Sequence, residues 1–265
     1  MELTLPPKKK KSPVKVAKIV LGILAVVLIY VWTFLGINID WGRAFERMAS
    51  NFHRVIPRLF SPEFADFPLV WEAMVETLYI AFVGSLMAAI LAVPLGFLAA
   101  QNMVKNVVVA TIGKWILSAV RAFPDIILAI IFVAAVGPNP FAGVLAIAIG
   151  STGMLGKMYS EVLESIDMQV VEAMEANGAN KLQIMFHGII PQIIPEFLSY
   201  AIYRFEVDVR ASTILGIVGA GGIGTMITFA NMNRDWEQMG MIILVIIVVV
   251  TVIDFLSAAI RKRIV

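Results

Sequence analysis

Five long stretches of this chain contain no Asp, Glu, Lys or Arg, and they restrict its fold more than any motif does. They run from Ile19 to Ile37, Thr77 to Val104, Ile126 to Gly156, Ala211 to Asn233 and Gln238 to Ile253. A bilayer-crossing helix needs about 20 mostly apolar residues, and runs on this scale meet that need. The composition agrees: 60% of the 265 residues are hydrophobic, 15% are charged, and the mean hydropathy is +0.88. A soluble domain of this length fills its core with far fewer apolar residues. The runs are continuously apolar with no period-two alternation, which excludes a membrane barrel. The expected fold is all-α and polytopic, with six spans near 17–37, 72–101, 107–136, 141–163, 192–217 and 237–260.

Charge placement orients these spans. Of the 21 Lys and Arg residues, twelve lie on segments that share a side when the N-terminus is inside. These are 8–11, 15, 18, 105, 157, 181 and 261–263. Five fall on the opposite side (43, 47, 54, 58, 234) and four within spans. The positive-inside bias therefore places both termini and the 164–191 loop in the cytoplasm. Residues 1–16 read as a basic cytoplasmic tail before a first span at 17–37. That span is long for a signal-peptide core and no small-x-small cleavage site follows it, so an uncleaved span is expected. In the third span, Arg121-Ala-Phe-Pro124-Asp125 removes a backbone donor, and two half-helices are an alternative to one helix. Residues 38–70 form the main external segment. Its arginines repeat at i,i+4 (Arg43 and Arg47, Arg54 and Arg58), with Phe45, Met48 and Phe52 on another face. An interfacial amphipathic helix accounts for this pattern, and a docking surface for an external partner is the alternative.

Four ionisable groups lie within the fifth span, in Tyr203-Arg204-Phe205-Glu206-Val207-Asp208-Val209-Arg210. Charges at such a depth pair or face a polar cavity. Helical spacing pairs Arg204 with Asp208, Glu206 with Arg210, and, further upstream, Arg121 with Asp125. Either the pairs stabilise the bundle, or Arg121, Arg204 and Arg210 lend their planar donors to an anion on its way through. Downstream, Gly219, Gly221, Gly222 and Gly224 lack the Lys-Ser/Thr ending, the preceding strand and the acidic ribose partner of a nucleotide loop. Small residues here permit a close helix crossing, or a break that lines a gate.

Between two apolar regions, Glu172-Ala-Met-Glu-Ala-Asn-Gly178-Ala-Asn-Lys-Leu-Gln-Ile-Met-Phe-His-Gly-Ile-Ile-Pro191 is polar and helix-prone. Asp167 can cap a first helix stapled by Ile166 against Val171, and Gly178 can end it in a left-handed conformation. Asn180 with Gln183 can cap a second short helix, which Pro191 closes. The product is a rigid cytoplasmic knob.

The spacing of Glu172-Ala173, Gly178 and Pro191 resembles the EAA loop of the membrane subunits of ABC importers, which docks into a cleft of the ATPase subunit. Met174 stands where that family usually has a second alanine, Gly188 where it has an isoleucine, and Ile190 where leucine precedes the proline. Arg121-x-Phe-Pro-Asp125, the loop, Tyr203-Arg-Phe-Glu-x-Asp-x-Arg210 and Val218-Gly-Ala-Gly-Gly-Ile-Gly224 occur in this order. Together they resemble the permease subunit of phosphonate ABC importers, a family that extends to phosphite-type anions, from about residue 70 onward. The glycine cluster alone also occurs in methionine permeases. The resemblance implies a type I importer fold over 71–265 and a homodimer in the cytoplasmic membrane. It also implies ATPase subunits beneath the membrane that hold ATP and Mg, and an external solute-binding protein. Glu172, Ala173, Gly178 and Pro191 become coupling residues.

Other classes fit less well. With no cysteine, and with His53 and His187 on opposite sides of the membrane in this topology, neither a metal site nor a membrane-embedded enzyme is expected. No cofactor is expected on this chain, and no nucleic-acid partner. An ion-coupled secondary transporter can use intramembrane Asp and Arg, but it has less need of a capped cytoplasmic knob.

Overall fold

The computed structural model describes residues 13–37, 40–104 and 106–264. The basic run Lys8–Lys11 and Lys105, both used in orienting the spans, lie outside the described residues. The described residues form helices and turns, with no strand among them. The chain divides into two compact units, one ending at Arg54 and the other starting at Val55.

The first unit holds helix α1 (Pro13–Gly36) and most of α2 (Trp41–Leu59). Every described side chain of α1 is exposed, as expected for a helix whose solvent is lipid. Trp41, Phe45, Met48 and Phe52 follow one another at helical spacing along one face of α2, with Arg43 and Arg47 between them and Arg54 just beyond. Trp41 stacks on Phe34 with ring centroids 5.1 Å apart. Within the amphipathic segment read at 38–70, Trp41–Leu59 thus forms a helix with an apolar stripe.

The second unit contains α3 (Phe67–Ala99), α4 (Val107–Ala122), α5 (Asp125–Val136), α6 (Pro140–Ser165), α7 (Met168–Ala176), α8 (Lys181–Gln183), α9 (Ile190–Leu215), α10 (Ile223–Asn233) and α11 (Trp236–Ile264). Helix α6 is its axis. It packs against α3 along a seam of small residues: Ala81, Gly84, Ala88, Ala92, Gly96 and Ala99 are all buried. A Cβ added at Gly84 would meet Ile147, and one at Gly96 would meet Tyr159. In lipid there is little hydrophobic drive between helices, so close backbone approach through small side chains supplies the contact. Large apolar side chains instead cover the outside, among them Tyr79, Phe82, Leu86 and Ile90 of α3.

Among the described residues, four helices are long and apolar enough to cross a membrane, and up to six spans result when each of two bent pairs is taken as one. One sequence-based alternative is decided and one expectation is corrected here. The third span is two half-helices, not one helix: α4 and α5 meet at an angle of 80°. Phe123 and Pro124 are both extended there, because a residue before proline is sterically driven out of the helical region. Likewise, Pro191 does not close a short helix. It falls in the first turn of α9, and the helical path continues unbroken from Lys181. A π-helical turn at Ile184–Ile189 explains how, with the Ile190 amide donating to the Met185 carbonyl. The wider turn relieves the clash of the proline ring with the carbonyl four residues back. The Gln192 side-chain amide then donates to the Gly188 carbonyl at 2.7 Å.

Candidate functional site

The knob is built from the caps its sequence encodes. The Asp167 carboxylate accepts from the Gln169 amide at 2.9 Å and starts α7. Ile166 and Val171 join the same apolar cluster. Gly178 has φ +82° with open space around it, so it is there for its left-handed backbone rather than for want of room. Asn180 and Gln183 form a reciprocal capping box, with bonds of 2.9 and 2.8 Å. Val171, Ile184, Ile189 and Ile193 then bury one face of the knob against Ala100, Val162 and Leu163. Glu172 and Ala173 remain exposed on the other side. Two departures from the family pattern turn out to be one packing exchange. A Cβ on Gly188 would lie 3.0 Å from Met174 Sδ, so the long thioether occupies the space the glycine leaves.

The glycine cluster forms a break, not a helix. Helix α9 ends in a 3₁₀ turn (Gly216–Val218), and after Gly219, Gly221 and Gly222 the chain re-enters helix as α10, bent by 47°. Gly222 has φ +69° and ψ −162°, a region essentially closed to side chains. Gly224 is helical and serves a different purpose: a Cβ there would lie 2.7 Å from the Gly216 Cα. Sequence reasoning missed Gly216 as its partner. It also missed Thr77, whose hydroxyl accepts from the Ile223 amide at 2.7 Å and caps α10 from across the bundle.

Two of the three charge pairs read from spacing form, and both are embedded in larger sets. Arg204 Nε lies 2.9 Å from Asp208 Oδ1 and donates to Ser151 Oγ at 2.9 Å. Ser151 in turn donates to the Asp208 carboxylate at 2.8 Å. Asp208 and Ser151 are fully buried and Arg204 nearly so. Arg210 lies 2.7 Å from Glu206 and 3.1 Å from Asp254, while Glu206 also meets Arg261 at 3.1 Å, so this set ties α9 to α11. Arg261 further sits over the Tyr203 ring at 5.6 Å. The third pair, Arg121 with Asp125, does not form, because the break at Pro124 destroys i,i+4 geometry between them. Asp125 instead faces Arg204 at 3.4 Å. Arg121 is exposed and has no ion pair among the described residues. Nor does any group of three or more His, Cys, Asp or Glu among the described residues suit a metal ion.

A bundle of close-packed spans with a paired polar interior, an interrupted helix and a capped helical knob defines a polytopic helical membrane protein. Residues 92–265 match the family of binding-protein-dependent transport system inner membrane components, and the chain belongs to that family. It is 37% identical over 202 residues to the phosphite transport system permease protein PtxC of Stutzerimonas stutzeri, covering 76% of this chain and 74% of the relative. It is 34% identical over 214 residues to the phosphate-import permease protein PhnE of Mycolicibacterium smegmatis, covering 81% of this chain and 40% of the relative. In fold it matches the inward-facing MetNI methionine ABC transporter, with a TM-score of 0.66 at 21% identity over 77% of this chain and 99% of the solved one. The type I importer permease fold and a multi-pass inner-membrane location are thereby shown.

Proposed function

We propose that this chain carries phosphonate or a related small phosphorus oxyanion inward as one half of a homodimeric, ATP-driven importer. An external binding protein delivers the anion, and separate ATPase subunits hold ATP and Mg. The termini and the knob face the cytoplasm. The relatives named for phosphite and phosphate support the substrate class. The observation that carries the mechanism is the continuity between knob and bundle. The buried face of α7 rests on the π-helical turn, which runs directly into α9. Helix α9 holds the Arg204–Asp208–Ser151 set and ends at the glycine break. A push on the exposed Glu172-Ala173 face therefore has a rigid path to the interior, and the glycine break is where α9 can move relative to α10.

Arg204 and Arg210 act in this reading as struts that keep α9 attached to α6 and α11, since their donors are already occupied within the protein. Arg121 is the member of the three left free for the anion. The reading is tested by purifying the tagged chain from native membranes and measuring ATP-dependent uptake of labelled methylphosphonate and phosphite after reconstitution with the proteins that accompany it. Copurification of an ATPase with ATP-driven uptake of either anion is the expected result. Recovery of the chain alone, with uptake driven by an ion gradient, would overturn it.

A further inference from the structure

Helices α4 and α6 run side by side, and a polar groove follows their junction. At one end of it Lys114 pairs with Glu164 at 2.7 Å, beside a hollow of about 320 Å³. This continues into a second hollow of about 310 Å³ through the shared residues Ser118 and Lys157, and Arg121 lines its far side. Lys114, Ser118 and Arg121 fall at i, i+4 and i+7, so one stripe of α4 carries all three. The opposite stripe, Ile112, Trp115, Ile116 and Ala119, is apolar and exposed. Leu117 packs between them against Gly156. Close approach makes the hollow possible: Gly153 of α6 has room for no Cβ, which would lie 2.9 Å from the Arg121 amide. Lys157, one turn beyond Gly153, thereby comes alongside Arg121.

Charge compensation fades along this groove. Lys114 has a close carboxylate, Lys157 reaches Glu161 only at 3.9 Å, and Arg121 has no acidic partner among the described residues. The Ser118 hydroxyl makes no side-chain hydrogen bond among them either. Arg121 lies seven residues along α4 from Lys114, a rise of about 10 Å. A cation at such a place in a membrane helix faces a cavity that something polar fills. The guanidinium fork, the ammonium and the hydroxyl together offer the donor set that tetrahedral oxyanions take.

The geometry points to a binding site for a phosphorus oxyanion at Ser118, Arg121 and Lys157, lying between the cytoplasmic end of the groove and the Asp125–Arg204 contact. It rests on the reading of the chain as a carrier of such anions. The same chemistry is found in a lipid phosphate, and the test separates the two sources. The nucleotide-free complex of the chain with its ATPase, cleared of external binding protein, is titrated with methylphosphonate while ³¹P line broadening is followed. A parallel preparation is placed in phosphatidylglycerol bilayers, and the lipid retained on repurification is counted. In R121Q and K157Q the affinity for methylphosphonate is expected to weaken by about tenfold or more, with R121K intermediate because it keeps the charge and loses the fork. Loss of retained phosphatidylglycerol in the variants, with methylphosphonate broadening unchanged, assigns the site to a lipid phosphate. If wild type and all three variants, folded by their unfolding midpoints, do not differ in either measurement, the site is overturned. Methylphosphonate uptake by the wild-type complex judges the transport reading separately. No uptake together with variant-sensitive binding removes the importer substrate and leaves the site.

Discussion

At the level of single residues, backbone conformation and buried charge dominate. Gly178 sits at φ +82° in open space, so any side chain is tolerated sterically and opposed conformationally. Gly178→Val is expected to cost about 1–2 kcal/mol locally, shifting the angle between α7 and the α8 segment. Uptake should fall severely while the amount of protein in the membrane is unchanged. Immunoblotting of membranes beside an uptake assay checks this, and normal uptake would remove the coupling role. Asp208 is the opposite case, a buried carboxylate held by Arg204 and Ser151. Asp208→Asn leaves Arg204 with Asp125, at 3.4 Å, as its one carboxylate partner among the described residues, beside the Ser151 hydroxyl. Breaking one side of a buried pair costs about 3–5 kcal/mol, so the unfolding midpoint of the detergent-purified protein should drop clearly. A midpoint equal to wild type would show that Asp125 alone suffices.

Among elements, the knob and the glycine break are decided by how one helix meets the next. Met174 and Gly188 share a single volume. Gly188→Ile alone overfills it, and Met174→Ala alone empties it; each change is expected to cost about 1–3 kcal/mol. The double variant should recover most of that loss, giving a coupling energy of about 1 kcal/mol or more in a double-mutant cycle by thermal unfolding. Additive costs would mean the two side chains do not share space. At the break, Gly224→Leu would drive a side chain into Gly216 and part α10 from α9, so loss of uptake in a correctly inserted protein is expected. The sequence made the knob legible because caps are local: Asp167, Asn180 and Gln183 bond to amides two or three residues away. Pro191 misled because the π-helical turn that accommodates it leaves no mark in spacing or composition. The Arg121–Asp125 pair failed for a related reason, since i,i+4 spacing guarantees proximity only when the helix is continuous.

On the scale of the molecule, the apolar clusters built around buried residues all lie beyond residue 69, and α1 buries no described side chain. The second unit therefore has a core of its own. Removing residues 1–54 should leave its unfolding midpoint within about 3 °C of the full chain, a difference of no more than about 1 kcal/mol. A large drop would show that the first unit supports the bundle.

The sequence by itself determined the class, the number of apolar segments, the amphipathic α2 and the capped knob. Each of these depends on composition or on residues within one or two helical turns of each other, where bond geometry fixes who can meet. Only the tertiary structure decided that α6 is the axis, that Ser151, Asp254 and Arg261 complete the charge sets, that Thr77 caps α10 and that Lys157 lies beside Arg121. These contacts join residues tens to more than a hundred positions apart. Their partners are chosen by the packing of small-residue seams, which a linear pattern does not record.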